Sequence, residues 1–260
     1  VKIGRIPFVN MAPFFHFLGA RWLEQHQLVD GDPRRLGERA RLGELDAAPF
    51  SYVDGQALVA GGDFEWLSNL GISGFGPIHS ILLCGVTRLS ELEDGHISIT
   101  PQTATTVRLL ELLLTQRDKV PGWRFTPSTG SGQAPVAQLF IGDQALRRRL
   151  EYGSLEPQLD LCAEWGAWTG LPFVFARWAV RRELTPRAKA ELALSLRSSV
   201  DLSLGDLQHV AQAQADRCGL DREAVLGYLQ GIRFKLGPSE LEGAALFERK
   251  LQMLSSSPTP

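Results

Sequence analysis

The sequence predicts an α/β protein of two lobes, one inserted in the other, with a helical C-terminal portion. Three observations carry that prediction. A β-α-β pattern opens the chain and a second set begins near residue 88; a strand-like segment at 174–181 leads back toward helices able to pack on the first half; and successive helical patterns follow Pro186. The predicted division is residues 1–86 with 180–260 as a discontinuous lobe and 87–179 as the inserted lobe, with crossings near 84–90 and 176–184. A chain of 260 residues, 44% hydrophobic and 22% charged, is long and apolar enough to bury a full core.

Taken in order, Lys2-Ile3-Gly4-Arg5-Ile6 reads as a strand, Pro7 to Pro13 as a turn, and residues 14–23 carry helix-like apolar spacing. A polar side chain in such a turn can face a ligand. Residues 33–45 read as a basic helix passing through Gly43-Glu44-Leu45-Asp46 into 47–52, a short strand with a polar end. That completes a β-α-β unit of an open parallel sheet. Further strands are expected at 66–72, 80–86, 96–100, 136–141 and 174–181. Helices are expected at 103–116, 143–150 and 161–168, then at 186–202, 204–218, 221–229 and 238–254. Residues 255–260 read as a frayed tail. A cleft between two such lobes would lie at the carboxyl ends of strands, where open α/β sheets take ligands.

Charge and cysteine usage narrow the function classes. Lys plus Arg number 27 against 29 Asp plus Glu, a formal net charge of −2, with no basic tract to follow a phosphate backbone. Nucleic acid is not an expected partner. No apolar run approaches the roughly 18 residues of a membrane span, so neither is a membrane. Cys84, Cys162 and Cys218 are odd in number and far apart, without zinc-ligand spacing, and read as reduced thiols. The first residues enter a strand at once, without the apolar stretch and cleavage site of a signal peptide. The expected location is the cytoplasm, and no metal or cofactor is expected.

More specific are the runs Ile6-Pro7-Phe8-Val9-Asn10-Met11-Ala12-Pro13, Gly43-Glu44-Leu45-Asp46, Gly76-Pro77-Ile78-His79-Ser80-Ile81-Leu82-Leu83, Thr100-Pro101-Gln102-Thr103-Ala104-Thr105-Thr106, Ile141-Gly142-Asp143 and Glu164-Trp165-Gly166-Ala167-Trp168-Thr169-Gly170-Leu171-Pro172-Phe173-Val174-Phe175-Ala176. In these the chain resembles the menaquinone-biosynthesis family that includes chorismate dehydratase of the futalosine route, whose fold is similar to (type II) periplasmic binding proteins. The runs occur in family order from residue 3 to about 182. The Gly-Pro-x-x-Ser and Trp-Thr-Gly-Leu-Pro-Phe-Val-Phe-Ala elements are the specific ones; the helical C-terminal portion contributes little. The first turn departs from the aromatic-Leu-Asn-Thr-Lys-Pro type by lacking the Thr and Lys.

The resemblance implies a small dianionic substrate, chorismate, and an elimination giving 3-(1-carboxyvinyloxy)benzoate plus water. The proton lost sits on the ether-bearing carbon, conjugated to the ring carboxylate, so its removal drives charge onto that carboxylate. Donors placed there would stabilise the transition state. Thr103, Thr105 and Thr106 suit that role as small hydroxyl residues opening a helix whose free N–H groups attract an anion, although an ordinary N-cap explains them as well. By resemblance Asn10 and Ser80 stand nearest the chemistry. Otherwise Asn10 closes an Asx-turn and Ser80 hydrogen-bonds to backbone. In the expected layout both belong to the discontinuous lobe and the threonines to the inserted one, so that lobe closure would assemble the site.

His79 is a tempting general base, but strand alternation points it away from Ser80, and Ser80 is preferred for the cleft. His16, His26, His96 and His209 show no partner pattern. With no protein base in view, the substrate's own enolpyruvyl carboxylate is a candidate proton acceptor. Ser51, with Tyr52, could contact ligand or serve a turn. Gly142 permits close backbone approach, and Asp143 is expected to cap the next helix. Trp165, Trp168 and Phe173 suit a packed aromatic edge, and the Gly-rich loop at Ser131 lacks the Lys and spacing of a P-loop. Two other functions remain open: a non-catalytic solute-binding protein for a small carboxylate, since this fold hosts both, and the sister pathway enzyme forming 1,4-dihydroxy-6-naphthoate.

Overall fold

The computed structural model describes residues 1–100, 102, 104–128 and 134–256. The elements run β1 (Lys2–Arg5), α1 (Ala12–Phe15), α2 (Ala20–Gln25), β2 (Gln27–Asp30), α3 (Pro33–Arg41), β3 (Ala47–Ser51), α4 (Tyr52–Ala60), β4 (Phe64–Gly74), β5 (Ile81–Cys84), β6 (His96–Ile99) and α5 (Thr105–Leu112). Then come β7 (Arg124–Pro127), β8 (Ala137–Ile141), α6 (Gly142–Tyr152), β9 (Gln158–Asp160), α7 (Leu161–Thr169), β10 (Phe173–Arg181), α8 (Pro186–Gly205), α9 (Leu207–Cys218), α10 (Arg222–Gln230), β11 (Ile232–Lys235) and α11 (Pro238–Ser256).

Two compact units result: Val1–Ser73 with Phe175–Leu236, and Gly74–Val174 with Gly237–Pro260. The first holds a six-stranded sheet in the order β11-β4-β10-β3-β1-β2, and the second a five-stranded sheet in the order β7-β6-β8-β5-β9. The division expected from the sequence puts residues 74–86 and the last helix with the first lobe. They group with the second unit for a physical reason. β5 pairs antiparallel with β8 (Ile81↔Ile141) and β9 (Leu82↔Asp160), and α11 packs on α5. The chain therefore changes unit three times, at 73/74, 174/175 and 236/237.

The sheet of the first unit is mixed. β1 runs parallel to β2 and β3, whereas β10, returning from the second unit, runs antiparallel to β3 with Trp178 opposite Pro49. Its core centres on Trp178, fully buried and packed edge-on by Phe14 at 5.5 Å, with Phe234 at 5.8 Å from Phe14. In the second unit Trp165, Phe173 and Phe247 pack mutually edge-to-face. Trp165 and Phe173 are thus core, as their spacing suggests, while Trp168 stands half-buried under the Lys250 ammonium.

The helix boundaries follow capping chemistry visible in the sequence. Asp32, Thr185, Asp206 and Asp221 each accept a backbone N–H in the first turn of α3, α8, α9 and α10, with Pro33 and Pro186 following their caps. Gly219, at φ 64°, ends α9 in the left-handed conformation that glycine adopts without steric cost. Other expectations fail locally. The helix at 14–23 is broken into α1 and α2, α5 loosens into a π-helical turn at Leu113–Arg117, and β2, α4, β7, β9 and β11 have no counterpart in the reading above. For α4 and β11 the signals were present: Ser51-x-x-Asp54 is a capping pattern, and Ile232 to Lys235 alternates buried and exposed.

Candidate active site

In the first unit the carboxyl end of β1 leads through Pro7 and Phe8 into a single 3-10 turn, Val9–Met11. Main-chain bonds alone close it: the Met11 N–H donates to the Phe8 carbonyl at 3.0 Å, and the Ala12 N–H to that of Val9. Asn10 is 9% exposed, and its Oδ1 has no hydrogen-bond partner among the described residues. The Asx-turn, which would occupy that oxygen, is not formed. A buried, unspent amide carbonyl is uncommon and costs free energy until something supplies a donor. The following helix is anchored from α8, where the Ser199 and Ser203 hydroxyls both donate to the Pro13 carbonyl at 2.9 and 3.1 Å.

Ser51 ends β3, adjacent in the sheet to β1, and caps α4. Its hydroxyl donates to Asp54 Oδ2 at 2.8 Å and accepts the Asp54 N–H at 3.4 Å, while Asp54 Oδ1 takes a hydrogen bond from Arg41 at 2.6 Å. The hydroxyl proton is therefore committed, and what remains for a ligand is acceptor capacity. Beside the Asn10 turn lies a cavity of about 380 Å³ in the first unit, lined in part by Phe8, Phe15, His16 and Arg217, with Arg5 and Asp30 joined in a two-point ion pair at 2.6 and 2.8 Å. That pair raises the pKa of Arg5 and lowers that of Asp30. His16 meets His209 edge-on at 5.1 Å, and burial, then the second imidazole, lowers its pKa.

In the second unit one end of the strands collects the remaining candidates. β6 and β8 are parallel, so their carboxyl ends lie at the same end of the sheet; β5 opposes β8 and begins there; β9 opposes β5 and ends there. Ser80, 3% exposed, precedes β5, and its carbonyl accepts the Gly142 N–H at 2.8 Å. Gly142 starts α6 at φ 56°, a conformation that disfavours any side chain, and Asp143 lies inside the first turn rather than capping it. Thr105 and Thr106 are buried in the first turn of α5, whose N-cap is Ala104. Thr103 and Ser131 lie outside the described residues.

His79 stands at φ 59°, outside β5, so strand alternation is not what separates it from Ser80. The turn is held by Asp160, which the sequence reading passed over. One carboxylate oxygen accepts the Ile78 and His79 N–H groups at 2.9 and 2.6 Å, and the other caps α7 through Cys162 and Ala163 at 2.9 and 3.1 Å. Burial pushes the Asp160 carboxyl above the usual carboxylate range, opposed by those N–H donors. Cys84, Cys162 and Cys218 are buried and outside any disulfide, and burial pushes the Cys84 thiol up to about 12. Among the described residues no group of three or more His, Cys, Asp or Glu could hold a metal ion, and no helix is long and apolar enough to cross a membrane.

A profile of the family described as menaquinone biosynthesis matches residues 1–253. The chain belongs to the menaquinone-biosynthesis family. Similar to this family member is a protein of Thermus thermophilus named chorismate dehydratase, 29% identical over 269 positions that span 96% of this chain and 94% of that one. Among solved structures it superposes on protein AF1704 of Archaeoglobus fulgidus with a TM-score of 0.77 at 18% identity, covering 98% of each chain. The periplasmic aliphatic sulphonate binding protein of Escherichia coli gives 0.67 at 17% identity, over 98% of this chain and 86% of that one. A Candida albicans protein described as having the generic periplasmic binding protein fold gives 0.69 at 11%, over 100% and 91%. This family member thus has a two-lobed, periplasmic-binding-protein-like fold.

Proposed function

We propose that this member of the menaquinone-biosynthesis family is a chorismate dehydratase, a hydro-lyase acting in the cytoplasm on chorismate to give 3-(1-carboxyvinyloxy)benzoate and water. The observation that carries the reading is the identity to the Thermus thermophilus protein of that name, sustained over 96% of this chain. Three buried cysteines outside any disulfide support a reducing compartment.

The ring carboxylate of chorismate accepts charge as the proton leaves the ether-bearing carbon. That C–H electron pair becomes the new ring double bond while the hydroxyl departs from the neighbouring carbon, and the ring becomes aromatic. Asn10 has the buried, unspent carbonyl that a substrate hydroxyl can satisfy, which orients the breaking C–O bond. Ser80 supplies a buried hydroxyl as a second polar contact. Thr105 and Thr106 at the start of α5, together with Thr103 two positions before it in the sequence, are assigned to a carboxylate, where helix N–H groups and hydroxyls favour developing negative charge. Gly142 gives a backbone free of a side chain beside Ser80, and Ser51 offers acceptor capacity. The enolpyruvyl carboxylate of the substrate takes the proton, its tether replacing a protein base, and passes it to the departing hydroxyl, which leaves as water.

Incubating the purified protein with chorismate should convert it to the benzoate, followed by absorbance and mass, without added nucleotide. A chorismate analogue lacking the side-chain carboxylate should remain unconverted, and its normal turnover would remove that carboxylate as the proton acceptor. The likeness to a sulphonate binding protein favours a second reading, a solute-binding protein. Tight binding of chorismate with its structure unchanged would establish that reading and end the first. Turnover of a cyclised futalosine derivative to 1,4-dihydroxy-6-naphthoate, with chorismate untouched, would instead identify the sister enzyme.

A further inference from the structure

We propose that Asp160 is a positioning residue that holds the turn before β5 in the strained form presenting Ser80, an inference that rests, for its catalytic consequence, on the proposed function above. Ser80 follows Gly76-Pro77-Ile78-His79, and His79 occupies the left-handed region, which residues with a β-carbon avoid. The His79 side chain is 43% exposed and reaches Asp160 only as a 3.9 Å ion-pair contact from Nδ1 to Oδ2, which requires a protonated imidazole, so the backbone N–H groups are the closer hold.

What stabilises the conformation is the convergence of two successive N–H groups, of Ile78 and His79, on the single oxygen Oδ2 of Asp160. Successive amides aimed at one anion form a nest, and here the anion is the protein's own carboxylate. Its other oxygen is spent on the N–H groups of Cys162 and Ala163, so the carboxylate is fixed by α7 and cannot follow the turn if it relaxes. The register places Asp160 directly opposite Leu82, two residues past Ser80. Beyond Ser80 the Gly142 N–H holds the carbonyl at 2.8 Å. Ser80 is therefore clamped on both sides, and the clamp before it is one carboxylate.

Asp160→Asn retains one acceptor oxygen but turns an NH₂ toward either the turn or the helix, so one pair of N–H groups loses its partner. If the role of the carboxylate is to hold residue 79 left-handed, glycine there should make it dispensable, because glycine reaches that conformation without a steric penalty. Alanine should not, because it keeps the β-carbon.

The test is amide hydrogen exchange over residues 76–82 in the wild type, D160N, D160N/H79G and D160N/H79A. The expected result is exchange about tenfold faster in D160N, restored by H79G and not by H79A. Unchanged exchange in D160N, or acceleration that H79G fails to reverse, overturns the proposal. The same proteins are assayed on chorismate, where kcat should fall by about 10- to 100-fold in D160N with KM within about threefold, and recover in D160N/H79G alone. Loss of stability through the α7 cap would not be repaired by a glycine at 79. If the wild type leaves chorismate unconverted, the dehydratase reading falls while the exchange comparison still decides the clamp.

Discussion

Asn10 combines two properties that rarely occur together, burial and an unspent carbonyl oxygen. A residue selected for stability alone would satisfy that oxygen, because an unmade buried hydrogen bond costs about 1–3 kcal/mol. Asn10→Ala is therefore expected to leave the thermal midpoint unchanged or raised while turnover of chorismate falls by about 100-fold or more, a divergence checked by pairing thermal unfolding with the chorismate assay. A fall in both together would mean that Asn10 supports the fold. The sequence placed this residue in a turn after the first strand, where a polar group can face a ligand. It left an Asx-turn as the alternative, and the hydrogen-bond pattern of the turn shows that the Asx-turn is not formed. Asp160 is the reverse case. As the Asp before an expected helix it reads only as an N-cap, and its further role comes from the Ile78 and His79 amides, some eighty residues earlier.

At the scale of elements, α6 is tied to the chain entering β9 by Arg148 and Glu156, a two-point ion pair in which Glu156 is 16% exposed and Arg148 also lies 4.1 Å above the Tyr152 ring. The hydrogen bond from Arg148 holds the Glu156 pKa below its ordinary value of 4.5. A carboxylate with a depressed folded pKa contributes fully above its unfolded value, and that contribution is lost as pH falls through the folded one. The thermal midpoint of the wild type should thus fall more steeply than that of Glu156→Gln below about pH 4.5, and equal slopes in the two would show that the pair does not stabilise the fold. Elements with strong local signals were legible from the chain: capped helices such as α3, α8 and α10, and the apolar runs of β5 and β8. The short strands β2, β7 and β9 were not, because three or four residues carry too little periodicity, and sheet neighbours rather than local propensity make them strands.

Over the whole molecule the last helix is the informative one. α11 is remote in sequence from α7, yet Phe247 fills the space against Trp165 and Phe173 and is 1% exposed. Phe247→Ala should lower the stability of the second unit by about 3–5 kcal/mol, seen as a lower denaturation midpoint and faster amide exchange in α7. A change under about 1 kcal/mol would mean that α11 is dispensable to that core. By itself the sequence determined the fold class, the family, the absence of a nucleic-acid-like charge pattern and the short list of polar residues at turns and helix starts. Each of these is written in local periodicity, composition or a contiguous motif. The tertiary structure alone decided that β5 and α11 build the second unit, that Ser51 spends its proton on Asp54, and that one half-buried carboxylate grips the turn before Ser80. These depend on strand register and on hydrogen bonds between residues far apart in the chain, and no local pattern encodes which distant partner a strand edge or a carboxylate will meet.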